Sequence, residues 1–241
     1  MSVLPRKMIM LVIRFFFTPF LLVTVLLAGC GTTPTMYEAK SIDEPQPLLL
    51  GDNEVLITGK IIFIENGKSK APYGLGRPNW MLLHNPDDLG PHLTEQMKLG
   101  GREIWGDLYI PFLSTEKDGS FYYIVPAGEY LMKDVVPFYY TPYIFPAVSF
   151  NATQPGKIYY IGTLSIDIDT TTVLGGLWGN YINTLNFLEV KDEFDSARQT
   201  ILEKFPGVDK KIINKALMKR LPGNFPTLFD PLAGMEFLYI H

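Results

Sequence analysis

The stretch DGSFYYIVPAGEYLMKDVVP, Asp118 to Pro137, constrains what this chain can fold into more than any other part of it. Asp118-Gly119 is a turn signal, because glycine takes a positive φ at no steric cost. Phe121 to Val125 reads as a strand, Pro126-Ala127-Gly128-Glu129 as a second tight turn, and Tyr130 to Val136 as the returning strand of a β-hairpin. An isolated hairpin is marginally stable in water, so the rest of the chain must supply strands to cover it.

It does so at regular intervals. Val55 to Ile64, VLITGKIIFI, is rich in β-branched residues and ends at the turn-like ENGKSK. A less regular stretch from Lys68 to Arg102 holds one short strand, Trp80 to Leu83, and another run follows at Ile104–Phe112. Ile144–Phe150 and Lys157–Ile168 read as strands separated by the turn Gln154-Pro155-Gly156, with Ile158, Tyr160, Gly162, Leu164, Ile166 and Ile168 on one face. GGLWGN interrupts before a last strand at Tyr181–Val190. Strands about ten residues apart with turn chemistry between them predict a mainly β fold, an antiparallel β-sandwich over residues 54–190. The pattern changes after Val190. Phe194, Ala197, Ile201, Leu202 and Phe205 fall at helical spacing up to Pro206-Gly207, and Ile212, Ile213, Ala216, Leu217 and Leu221 repeat the pattern over Val208–Leu221. Residues 191–241 are thus expected to form a C-terminal pair of α-helices, with the closing MEFLYIH offering an edge strand.

The other end of the chain has a different character. Arg6, Lys7 and Arg14 precede an apolar run from Phe15 to Ala28 that closes on small residues, the three-part layout of a secretory signal peptide over residues 1–29. Pro19 interrupts that run, and it is shorter than the ~20 residues that cross a bilayer. Cys30, the only cysteine, comes next, so the chain forms no internal disulfide. GTTPTMYEAKSIDEPQPLLLGD mixes Thr, Pro and acidic residues without apolar periodicity, which predicts a flexible tether over residues 30–53.

Leu27-Ala28-Gly29-Cys30 resembles the lipobox of bacterial lipoproteins. The resemblance implies cleavage before Cys30 and a diacylglycerol thioether on its sulfur, a covalent lipid rather than a cofactor. Gly31, where Asp would mark inner-membrane retention, implies the outer membrane, facing the periplasm. Each buried acyl methylene contributes about 0.8 kcal/mol, so two or three chains hold stably where one does not. Within the body, DGSFYYIVPAGEY resembles the hairpin of carboxypeptidase-regulatory-like, or prealbumin-like, domains, with Asp118, Gly119, Phe121, Pro126, Gly128 and Tyr130 matching and LITGKII as the opening strand. The long insert at residues 65–103 departs from that compact pattern. The likeness implies a binding or scaffolding module without a catalytic centre of its own.

Charge narrows the partners. Removing Arg6, Lys7 and Arg14 from 21 basic residues, against 25 acidic ones, leaves the mature chain near −7. No basic patch marks it for nucleic acid, whose binding rests on neutralised phosphates, and an anionic leaflet would not attract it. The lipid has to hold it.

His84, Asp87, Asp88 and His92 in HNPDDLGPH are the one cluster of metal-ligand types, suited to zinc or another divalent ion. Their spacing matches no metal motif, and Pro86, Gly90 and Pro91 indicate a surface loop. Asp167 and Asp169 share a strand face beside Thr170–Thr172, the pattern of a solvated strand end, and neither Ser149 nor Ser165 sits in a nucleophile elbow. GLGRPNW and LGGLWGN lack the strand-loop-helix setting of a phosphate cradle. In VPFYYTPYIFP, Phe138, Tyr139, Tyr140 and Tyr143 form an aromatic contact candidate for a sugar or protein, set against the alternative that alternate rings fill the core. The expectation is a lipid-anchored, non-catalytic binding or assembly module of the cell envelope, meeting the membrane through its lipid and a protein or glycan partner. The competing expectation is an envelope hydrolase, metal-dependent through His84, Asp87, Asp88 and His92.

Overall fold

The computed structural model describes residues 35–70, 79–87, 89–90, 93, 107–136, 143–172 and 180–229. The first sheet runs in the order β1 (Thr35–Met36), β6 (Leu108–Ser114), β5 (Asn79–His84), β8 (Gly128–Val136), β10 (Val148–Ala152) and β14 (Lys219–Arg220). Beside β8 it carries β9 (Tyr143–Phe145), which in turn pairs β15 (Thr227–Phe229). The second runs β12 (Asn180–Lys191), β11 (Ile158–Thr172), β3 (Glu54–Glu65), β7 (Ser120–Pro126) and β2 (Lys40–Ser41), with β4 (Lys68–Lys70) on β3 and β13 (Ile213–Lys215) on β11. Trp80, Leu82, Ile110, Tyr130, Met132 and Phe150 from the first sheet meet Ile57, Ile61, Phe63, Phe121, Tyr123, Leu164 and Ile166 from the second in one continuous core. The mainly β sandwich expected from the strand spacing is the fold.

Smaller layers cover the outer faces. On the second sheet, Leu56, Tyr122, Ile124 and Ile158 are sealed by Ile201 of α1 (Phe194–Lys204) and Phe205 at its C-cap, together with Ile42 and Ile213. On the first, Leu83, Tyr109, Leu131 and Phe145 pack with Leu93 and Leu221. With both faces covered, β7 is apolar along its whole length instead of alternating, and every residue from Ser120 to Val125 is buried.

Several expectations need correction. The two strands flanking PAGE do not pair with each other. β7 bonds to β3 and β2 in one sheet, whereas β8 bonds to β5 and β10 in the other. The turn is an arch between sheets, stitched by Ala127 N–H donating to the Asn53 carbonyl at 2.8 Å. Nor are the sheets wholly antiparallel: β3 and β11 run parallel, as do β11–β13 and β1–β6. β3 and β11 enter from the same end, where Leu56 N–H reaches the Lys157 carbonyl and Gly156 N–H the Glu54 carbonyl.

Of the expected C-terminal helical pair, the described residues form a single helix. Val208–Leu221 forms a 3₁₀ turn at Lys210–Ile212, with Asp209 accepting from Lys211 N–H, and then the extended β13 and β14. Its apolar residues seal three separate clusters: Ile213 the outer layer under α1, Met218 the central core and Leu221 the opposite outer layer. One helical stripe faces one direction and cannot serve all three. The backbone follows β11 instead, with Ala216 N–H on the Tyr160 carbonyl and Met218 N–H on the Ile161 carbonyl. The strand expected over Ile144–Phe150 is broken into β9 and β10 at Ala147, which takes φ 52°. MEFLYIH lies outside the described residues.

The segment expected as a free tether is, from Thr35 onward, a strap laid across the body. β1 runs parallel to β6, β2 pairs antiparallel with β7, and the strap thereby crosses from one sheet to the other. Ile42 is buried, and Leu48 and Leu50 pack beside it under α1. A polar sequence without periodicity still docks when single apolar residues meet ready pockets and its backbone finds sheet edges to pair.

Candidate functional site

The end of the sandwich where β5 stops and β6 and β8 start carries the densest polar constellation. His84 is 6% exposed, its ring edge-on to Tyr130 at 5.2 Å. Its Nε2 lies 3.1 Å from the Ala127 carbonyl, and since a carbonyl only accepts, Nε2–H donates there. Nδ1 has no hydrogen-bond partner among the described residues and faces Asp107 Oδ2 at 3.7 Å. Asp107 is itself held by Asn85 Nδ2 at 2.7 Å. Asn85, at φ 44°, ties the strands together, donating its backbone N–H to the Glu129 carbonyl at 2.8 Å and accepting Glu129 N–H on its side-chain oxygen at 3.0 Å.

The motif positions gain physical reasons here. A Cβ on Gly128 would sit 2.1 Å from His84 Nε2 and 2.8 Å from Asn85 Oδ1, so glycine is what lets the buried imidazole reach Ala127. The Tyr130 hydroxyl donates back to the Pro126 carbonyl, and burial pushes its pKa well up. Asp118 accepts both Ser120 N–H and Ser120 Oγ–H, closing the first turn. Gly128→Ala is expected to cost about 1–3 kcal/mol in thermal unfolding, the range for overpacking. Adding His84→Ala to that variant should return part of the loss. Purely additive effects would show that the two positions do not meet.

The metal-ligand cluster divides. His84 is buried and directs its ring at Ala127, whereas Asp87 is exposed in the following loop; Asp88 and His92 lie outside the described residues. Among the described residues, no three His, Cys, Asp or Glu side chains converge as a metal site. Of the aromatic candidates, Phe138, Tyr139 and Tyr140 lie outside the described residues. Tyr143 starts β9 opposite Phe229, 36% exposed. Cys30 also lies outside. Asp167 accepts Asn186 Nδ2 across the β11–β12 ladder, an ordinary cross-strand contact.

A second polar centre had no signal in the sequence. Lys204, in the last turn of α1, bonds Glu116 Oε1 at 2.5 Å and the Asp43 carbonyl at 2.8 Å, and lies 4.3 Å from the Tyr122 ring centroid. Burial, with help from the nearby Glu116 charge, pushes the Tyr122 hydroxyl up to about 12. The Asp43 carbonyl, 161 residues from Lys204, and the Glu116 carboxylate, 88 residues from it, meet at one ammonium, a convergence that local spacing cannot announce. Glu54, at the start of β3, does the same for the strap. It accepts Gly51 N–H at 2.8 Å and Lys40 Nζ at 3.4 Å. These contacts, the Gly51 N–H foremost, hold its carboxyl below the usual range.

Compared with known proteins, the chain matches no family model, no curated protein and no solved structure. Among the described residues, no helix is long and apolar enough to cross a membrane.

Proposed function

We propose that this protein is a lipid-anchored module of the bacterial cell envelope that binds or assembles with a partner at the membrane. The observation that carries the reading is Leu27-Ala28-Gly29-Cys30: the only thiol of the chain stands directly after a basic, then apolar, then small-residue leader. Acylation there holds an acidic body, which an anionic leaflet would repel, beside the bilayer. Two features of the body support a scaffolding role over a catalytic one. His84 is committed to the arch through Ala127, and Lys204 to the strap through Asp43. Phe138, Tyr139, Tyr140 and Tyr143 supply the aromatic contact surface for a protein or glycan.

Growth with labelled palmitate is expected to mark the wild type and leave Cys30→Ser unlabelled, with the leader retained in the variant's intact mass. Equal labelling of both would overturn the anchor. Tyr139→Ala with Tyr140→Ala should abolish capture of the envelope partner without changing labelling. A stoichiometric metal that is lost from a His84→Ala, His92→Ala variant would instead favour a metal-dependent hydrolase.

A further inference from the structure

We propose that the strap from Thr35 to Gly51 is a tether-length clamp, which while docked limits the chain between lipid and body to the span from Cys30 to Thr35. The inference rests on the acylation of Cys30 and adds to it a geometry that the sequence alone did not contain.

The strap is joined to the body at its very start. Thr35 and Met36 sit in register with Leu108 and Tyr109, and Tyr37 N–H donates to the Tyr109 carbonyl at 2.8 Å. Lys40 and Ser41 then pair with Ile124 and Tyr123, and Ile42 N–H donates to the Tyr122 carbonyl at 3.1 Å. Ile42 is 5% exposed beneath α1, Lys204 grips the next carbonyl, and Gln46 N–H donates to the Lys204 carbonyl at 3.1 Å. Glu54 collects Lys40 and Gly51 on one carboxylate.

The consequence is metric. A chain spans at most ~3.3–3.6 Å per residue, so the link from Cys30 to Thr35 reaches about 17 Å. Were the strap free as far as β3, the same rule would allow about 80 Å. Docking also selects which end of the sandwich is held close. Leu108, opposite Thr35, is also opposite His84, and Asp107 N–H donates to the His84 carbonyl. The arch with Gly128 and Glu129 therefore lies at the tethered end, while the Asn66-Gly67 turn at the far end of β3 lies at the other. In the docked state, the partner must be met within a short distance of the leaflet. Release of the strap would let the same body reach several times farther.

The strap's hold is breakable at few points. It contributes two two-residue strands, one fully buried side chain, and the Lys204 and Glu54 contacts, and most of its other side chains are exposed.

The test uses the full acylated protein in vesicles of phosphatidylethanolamine and phosphatidylglycerol carrying an acceptor dye. With Cys30 acylated, Glu129→Cys supplies the only free thiol for a donor dye. Energy transfer to the membrane is expected to be strong, and to fall roughly twofold or more when a ten-residue Gly-Ser insert follows Gly31, as free linker extends the mean span. Ile42→Asp, which cannot stay buried, should give the same fall without any insert and raise amide exchange over residues 37–42. Glu54→Gln should give a smaller fall, and it keeps the test open if Ile42→Asp does not fold. Transfer that is unmoved by the insert, or unmoved in a variant whose strap amides have become unprotected, would overturn the clamp. Palmitate label on the protein in those same samples separates that failure from a failure of acylation itself.

Discussion

Trp80→Ala is expected to remove about 3–5 kcal/mol of unfolding free energy, the range for truncating a buried aromatic in a close-packed core. Trp80 lies on β5 in the first sheet at 1% exposure, and its neighbours come from the other sheet: Phe121 at 4.6 Å between ring centroids and Tyr123 at 6.1 Å, edge-on. The three rings bridge the sandwich, so alanine would open a cavity where the sheets are joined. Neighbours cannot collapse into it easily, because Phe121 Cζ already stands 3.0 Å from where a Cβ on Gly59 would be, against the β3 backbone. Trp80→Phe should cost far less, about 1–2 kcal/mol, because it keeps most of the ring contact. It also forfeits no hydrogen bond, as Trp80 Nε1 has no partner among the described residues. Urea unfolding of the two variants checks the pair, with an unchanged denaturant slope marking a true stability change. An alanine variant within 1 kcal/mol of wild type would mean that the sheets do not meet through this ring.

Most strands were legible, because β-branched and aromatic runs between turn residues need only local information. β3, β7, β8, β11 and β12 lie within a few residues of the sequence reading. What failed was whatever depended on residues far along the chain. The Pro126–Glu129 turn carries the chemistry of a hairpin, yet whether the flanking strands pair depends on β3 and β5 offering better edges on opposite sheets. Val208–Leu221 has helical periodicity, but three clusters from three parts of the chain claim its apolar residues one by one. Around the Pro126–Glu129 arch, Gly128 and Tyr130 stood out in the sequence, while their counterpart His84 was read as a metal-ligand candidate. Its actual contact is with a carbonyl 43 residues away. Lys204, Glu116 and Glu54 were legible only as surface charges, since nothing in their neighbourhoods records the strap that they hold.

The deepest of these failures predicts the largest effect. β11 was read as one continuous apolar face from Ile158 to Ile168, yet two faces are in use. Tyr159 and Ile161 point into the central core, followed by Leu164, Ile166 and Ile168, so the parity changes between them. The change is a bulge: the pairing with β3 steps from Tyr160↔Thr58 to Thr163↔Lys60, inserting one residue. Gly162 makes the step at φ 103°, and its carbonyl lies 2.5 Å from where a Cβ on Gly59 would be, so the two glycines close the bulge against each other. Ile158 thereby serves the layer under α1 while Leu164 serves the core. Inserting one alanine between Leu164 and Ser165 adds a residue beyond the bulge, and a one-residue slip sends every side chain on one side of it to the wrong face. Either Ile166 and Ile168 turn out of the core, or Tyr159, Ile161 and Leu164 do. The insertion is expected to abolish cooperative folding, read as loss of the thermal transition and exposure to protease. Gly162→Ala keeps the residue count and should cost only about 2–4 kcal/mol, from the disfavoured φ and a Val190 Cγ1 contact at 2.8 Å. Gly156→Ala, at φ 71° with nothing within 4 Å, isolates the backbone part of that cost at about 1–2 kcal/mol. An insertion variant that melts cooperatively near the wild-type temperature would show that the core does not fix which face of β11 it takes.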